Sequence, residues 1–265
     1  MSAVSSPCLQ ALAVIRYVAL ATLLCTGLPA AALEYQVFTQ ETPDGQCAGP
    51  VPSDTTRNLL DFISATEQLQ LKRVCLPWPR ALKMVEQGEG LIFGISKNKE
   101  REKTLHYSQQ VVTRYIFVVT RADAQFPVKS LQDLKGKVIG VPRGFQFTDE
   151  FEMMRDKVFK LEQDHPQPIS RIYKLLFKRM DAALFASPVA NPAWIERRLQ
   201  TIRDQQPAGV GGLDDVKLVA SPEPLMADTL HFAIRADKDQ GLIDQINHGL
   251  MRARKAGILD EPPGK

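Results

Sequence analysis

Short runs of aliphatic and β-branched residues alternate along this chain with stretches whose apolar residues recur every three or four positions. The first kind of run reads as a buried strand, the second as an amphipathic helix laid on a sheet. Strands are expected at 35–39 (YQVFT), 71–76, 91–95, 115–120 (YIFVVT), 137–141 (KVIGV), 182–186, 216–220 and 229–234. A helix is expected at 55–65, where Leu59, Leu60 and Ile63 share a face and Asp54 is placed to cap. Another is expected at 80–87, with Gly88 as its stop. Further helices are expected at 130–134, 148–159, 169–177, 192–200 and 242–256. Asp149 and Glu150 suit the dipole at one N-terminus, and Pro192 opens another helix. Residues 203–215 (RDQQPAGVGGLDD) are polar and glycine-rich, hence a loop. Alternation of this kind belongs to α/β proteins with mostly parallel strands. The long strand at 115–120 and a return near 219–229 separate two such series, so two lobes joined by two crossings are expected.

One apolar run lacks helical amphipathicity. Residues 17–28 (YVALATLLCTGL) follow Arg16 and precede Pro29, Ala30, Ala31 and Ala32. A cation, a short apolar stretch and an Ala-x-Ala site make the pattern of a secretory signal peptide. The run is shorter than the roughly 20 residues that a membrane-spanning helix needs. Cleavage is expected after Ala32, releasing residues 33–265 into the periplasm. Lipid attachment at Cys25 is disfavoured because Leu23 and Leu24, not small residues, precede it. Cys8 and Cys25 leave with the signal. The remaining pair, Cys47 and Cys75, is expected to form a disulfide in an oxidising compartment.

Charge and motif content narrow the function. The chain has 33 Lys and Arg against 30 Asp and Glu, and Arg16 alone of these lies in the leader. Such a balance lacks the clustered basic charge that nucleic acid would demand. No H-E-x-x-H, G-x-S-x-G, G-K-[ST] phosphate loop or G-x-G-x-x-G occurs. His106, His165, His231 and His248 are scattered among unlike neighbours. Neither a metal, a cofactor nor a catalytic residue is expected.

Three stretches then fall in a telling order. The first is Leu76-Pro77-Trp78-Pro79-Arg80-Ala81-Leu82 leading to Glu86-Gln87-Gly88. The second runs from Gly94-Ile95-Ser96 through Asn98 and Arg101 to Tyr107-Ser108. The third is Asp133-Leu134-Lys135-Gly136-Lys137-Val138-Ile139-Gly140-Val141 followed by Arg143-Gly144. Together they resemble the bacterial extracellular solute-binding proteins of family 3, which serve polar amino-acid ABC importers, and the first is similar to the P-W-x-R element of one branch. The resemblance implies a two-lobe periplasmic-binding-protein fold with a hinged cleft, each lobe a mostly parallel sheet flanked by helices. Lobe I is expected to comprise 33–116 and 224–265, and lobe II 117–223. The implied function is capture of a small polar or anionic solute, as a monomer, for delivery to an ABC permease in the inner membrane. The same domain also serves as a ligand-sensing partner of membrane signalling proteins, and a few dehydratase-like enzymes share the fold.

The resemblance also names candidate ligand contacts. In the family, the residues matching Ser96 and Arg101 hold the ligand's α-carboxylate, which a guanidinium can grip in bidentate fashion. By its neighbours alone, Arg101 also fits a solvated charge run, 97–103 (KNKEREK). From the second lobe, Arg143, Gly144, Phe145 and Gln146 precede an expected helix start, where free N–H groups receive anions. The family places Thr or Ser after this glycine; Phe145 offers an apolar wall instead. Trp78 is a stacking surface or a core residue, and Arg80 faces either the cleft or an acidic neighbour. Family members that bind amino acids carry an acidic residue where this chain has Ala186, and Asp181 stands at the far end of that strand. An ammonium in the cleft would lack its counter-charge, so a free α-amino acid is no better a candidate than an organic acid.

Overall fold

The computed structural model describes residues 34–42, 45–49, 51–165, 167–205 and 215–260. The expected signal peptide and most of the 203–215 loop lie outside them. The strands are β1 (Glu34–Gln40), β2 (Gln70–Leu76), β3 (Leu91–Ser96), β4 (Leu105–Tyr107), β5 (Val112–Arg121), β6 (Val138–Pro142), β7 (Lys160–Asp164), β8 (Ala182–Ser187), β9 (Leu218–Ala220) and β10 (Met226–Arg235). The helices are α1 (Ser53–Glu67), α2 (Trp78–Gln87), α3 (Asp149–Met154), α4 (Pro168–Leu176), α5 (Pro192–Asp204) and α6 (Leu242–Lys255). Among these residues, no helix is long and apolar enough to cross a membrane.

All ten strands join one sheet in the order β2-β1-β3-β10-β5-β8-β6-β7, with β4 on β10 and β9 on β5. Pairing is parallel for β1 with β2 and β3, and for β6 with β7 and β8. It is antiparallel where β10 meets β3 and β5, and where β5 meets β8. The chain therefore passes from one parallel half to the other along β5 and returns along β10. Each half is covered on both faces, which is why its strands read as continuous apolar runs.

Four buried clusters follow. Around the first half, Leu59 and Ile63 of α1 meet Ile246 and Leu250 of α6 over Phe93 and Phe232. On its opposite face Trp78, Ala81 and Val85 of α2 cover Phe38, Ile92 and Ile95. Contact between α1 and α6 is so close that a Cβ on Gly249 would sit 2.9 Å from Ile63. In the second half, Phe147, Phe151 and Phe159 pack with Val118 and Leu184. Ile172 and Leu175 of α4 join Ile195 and Leu199 of α5 against Phe117 and Phe185. This is a two-lobe α/β fold.

Several boundaries differ from the sequence expectations. Helix α1 is capped at Pro52 without a side-chain bond, and Asp54 lies inside its first turn. Helix α3 stops at Met154 rather than 159, because Asp156 takes φ 60° and its N–H bonds back to the Phe159 carbonyl. The next residues form β7, a polar edge strand, where an apolar run gave no signal. Cys47 and Cys75 form the expected disulfide, their Cα atoms 5.1 Å apart.

Candidate functional site

The carboxyl ends of the parallel strands of both lobes meet in one crevice, where ligands of open α/β sheets bind. From the first lobe come Gln40 at the end of β1, the start of α2, and the turn Ser96–Arg101 after β3. From the second come the loop between β6 and α3 and the end of β8. The lobes touch here. Asn98 Nδ2 donates to Gln146 Oε1 at 3.0 Å, and the Lys99 N–H donates to Asp149 Oδ1 at 3.0 Å. The Trp78 and Phe145 rings lie 6.0 Å apart between centroids, tilted by 38°. Gly144 makes the approach possible by conformation: its φ of 77° is strained for any residue with a side chain.

Ser96 is buried at the centre of a polar network. Its hydroxyl donates to Asp228 Oδ2 at 2.7 Å and accepts from Arg114 Nη2 at 3.1 Å. Arg114 Nε donates to the same Asp228 oxygen at 2.8 Å. Arg114 on β5 and Asp228 on β10 stand directly opposite each other in the ladder, so the two crossing strands are joined by an ion pair. The Arg114 guanidinium also lies 5.5 Å from the centroid of the Phe145 ring. Phe145, from the second lobe, thus packs on a cation of the crossing strands and on Trp78 of the first lobe.

The other sequence candidates separate by exposure. Arg101 is only 8% exposed, and its Nη1 donates to the Ser96 carbonyl at 3.3 Å. Burial lowers its pKa, against the opposing pull of nearby groups that include Glu86, Asp228 and Glu152. Its backbone N–H donates to Asn98 Oδ1 at 2.9 Å, fixing the turn. Trp78, the first residue of α2, is buried, whereas Arg80 and Arg143 are exposed. Asp181 is exposed and accepts the Val138 N–H, on the side of the strand away from the crevice.

A cavity of about 210 Å³ opens between Gln40, Arg114 and Phe145 on one side and Arg171, Phe185 and Ala186 on the other. Its lining includes Arg198 and contains no Asp or Glu. Arg171, on α4, is 4% exposed; its Nη1 donates to the His165 carbonyl at 3.1 Å and its Nε has no hydrogen-bond partner. Burial pushes its pKa down to about 10, with Asp164 opposing. Its guanidinium rests 5.1 Å from the Phe185 ring centroid. Two wider grooves, about 640 and 530 Å³, lie at other places on the surface, share none of these lining residues, and have mainly apolar walls.

Of the residues singled out from sequence, Ser96, Trp78, Phe145 and Gln146 are brought together; Arg114, Asp228, Arg171 and Gln40 join them unannounced. Aspartate is depleted in strands, but Asp228 lies just outside the expected strand 229–234, so nothing in that expectation asked for a partner.

No protein-family model matches the sequence, and no curated protein matches it either. The fold does match solved structures. A mutant of ArgBP from T. maritima superposes with a TM-score of 0.61 at 20% identity, covering 84% of this chain and 90% of that one. AbpA from Streptococcus pneumoniae, an amino acid ABC transporter substrate-binding protein bound to L-arginine, gives 0.60 at 19%, covering 86% and 91%. A histidine kinase sensor domain with similarity to periplasmic binding proteins gives 0.61 at 19%, covering 84% and 91%. The two-lobe periplasmic-binding-protein fold is common to them and to this chain.

Proposed function

We propose that this protein binds a small polar or anionic solute between its lobes and performs no chemistry on it. The observation that carries this reading is the crevice itself. Side chains from both lobes and from the crossing strands converge on one charged, aromatic-walled cavity, and direct bonds join the lobes in the same crevice. Lobe I is taken as 33–116 with 224–265 and lobe II as 117–223. A hinge at β5 and β10 lets the lobes part and close. Solute shifts that equilibrium only by binding the closed form more tightly. Ser96, Arg101, Trp78 and Arg80 contribute from the first lobe, and Arg143 to Gln146 from the second. In this reading the leader is removed on export, the protein is a periplasmic monomer, and an ABC permease of the inner membrane receives the solute.

Thermal-shift screening of residues 33–265 against amino acids, organic acids and polyamines should find solutes that raise the melting temperature by mass action. The same solutes should shrink the radius of gyration in X-ray scattering. A chain whose melting and scattering respond to no solute is not a binding protein.

The likeness to a histidine kinase sensor domain supports a second reading, in which the closed form is read by a signalling protein. Deleting the gene distinguishes the two. Lost uptake of the binding solute marks an importer component; intact uptake with a lost transcriptional response marks a sensor.

A further inference from the structure

The geometry points to Arg171 as the group that receives the solute's charge, and to a small organic carboxylate with an apolar body and no ammonium group as the solute. This inference rests on the solute-binding reading and narrows it. Arg171 is buried on α4 and lines the cavity, and among the described residues its side chain makes one hydrogen bond, to the His165 carbonyl at 3.1 Å. Among the described residues no carboxylate is ion-paired with it. The acid that acts on it, Asp164, lies 3.4 Å from the Lys174 ammonium, which bonds Glu162 at 2.6 Å.

A buried guanidinium without its own carboxylate costs free energy unless a counter-charge arrives. Here the cavity that Arg171 lines is the side from which one can arrive; the Nε is itself buried without a partner, and the planar guanidinium suits a carboxylate. The guanidinium carbon lies 5.1 Å from the Phe185 ring centroid, within cation–π reach.

The charges around the cavity agree. Its three cations are Arg114, Arg171 and Arg198; Asp228 neutralises Arg114, while Arg171 and Arg198 have no ion pair among the described residues. An anion is drawn in and an ammonium repelled. Ala186, not an acid, stands on the wall where a positive group would need compensation. Apart from Gln40 the remaining wall is apolar, with Ile116, Phe145, Phe147, Leu184 and Phe185 among its residues, which suits an aliphatic or aromatic body.

The test is calorimetric and thermal titration of residues 33–265, and of the Arg171→Met variant, with benzoate, hexanoate, inorganic phosphate and L-arginine. Benzoate or hexanoate should bind the parent chain and lose about 10- to 100-fold in affinity in Arg171→Met. The ligand-free variant should melt at the same temperature or higher, because methionine fills the site without an uncompensated charge. A variant that unfolds well below the parent without ligand makes Arg171 a structural residue and overturns the inference. Binding of phosphate with neither carboxylate overturns it too. If L-arginine or another amino acid binds and closes the lobes while the carboxylates do not, this inference falls and the solute-binding reading stands. If no solute of any class binds, both fall.

Discussion

Asp228 is the residue on which the centre of the cleft depends, because one buried carboxylate satisfies both Arg114 and Ser96. Removing it leaves a largely buried guanidinium and a buried hydroxyl without their acceptor. Asp228→Ala should therefore lower unfolding stability by about 3–5 kcal/mol in urea titration. Pairing it with Arg114→Met should recover much of that loss, since no stranded charge remains; a double variant as unstable as the single one would show that the charge pair is not the cause. These same residues mark the limit of what the sequence made legible at this scale. Ser96, Trp78, Phe145 and Gln146 were found because ordered motifs carry them. Arg114 and Asp228 were not, because the pair is separated by 114 positions and each alone looks like a polar residue ending an apolar run. Arg171 sits at what reads as the polar side of an amphipathic helix, and only packing against β8 and its helices turns that side inward.

The crossing elements were read too short for the same reason. Strand β5 extends from Val112 to Arg121 and β10 from Met226 to Arg235, beyond the apolar centres at 115–120 and 229–234. Their polar ends are where they line the cleft, so the pattern faded where the site begins. Elements with both faces buried, such as β1, β3 and β8, stood out clearly, while the polar edge strand β7 and the three-residue β4 gave no periodicity to read. One link between elements was legible from cysteine content alone. The Cys47–Cys75 disulfide closes a loop of sequence separation 28 and ties the chain after β1 to the end of β2, directly before Trp78. Reducing it should cost roughly 3–4 kcal/mol on the chain-entropy account and move the urea midpoint down accordingly. An unmoved midpoint would mean the reduced chain keeps the loop closed by other contacts.

At the scale of the molecule, Phe145 packs against a buried cluster of each lobe. Phe145→Ala removes the ring between Trp78 and Arg114. The ligand-free variant should show a larger radius of gyration in X-ray scattering, with its melting temperature changed little, because neither lobe's core is cut. A profile superimposable on the parent's would place the hold between the lobes in the Asn98–Gln146 and Lys99–Asp149 bonds. The path of the chain has a consequence for its birth. Strands β5 to β9 follow one another without interruption, so the second half of the fold can condense as soon as that stretch is synthesised. The first half cannot, because it also needs strand β10 and covering helix α6, which follow that stretch in the chain. A chain that stops before residue 226 thus leaves the first half unfinished, with the inner edge of β3 unpaired along the span that β10 fills, and that half settles only once residues 226–255 are present.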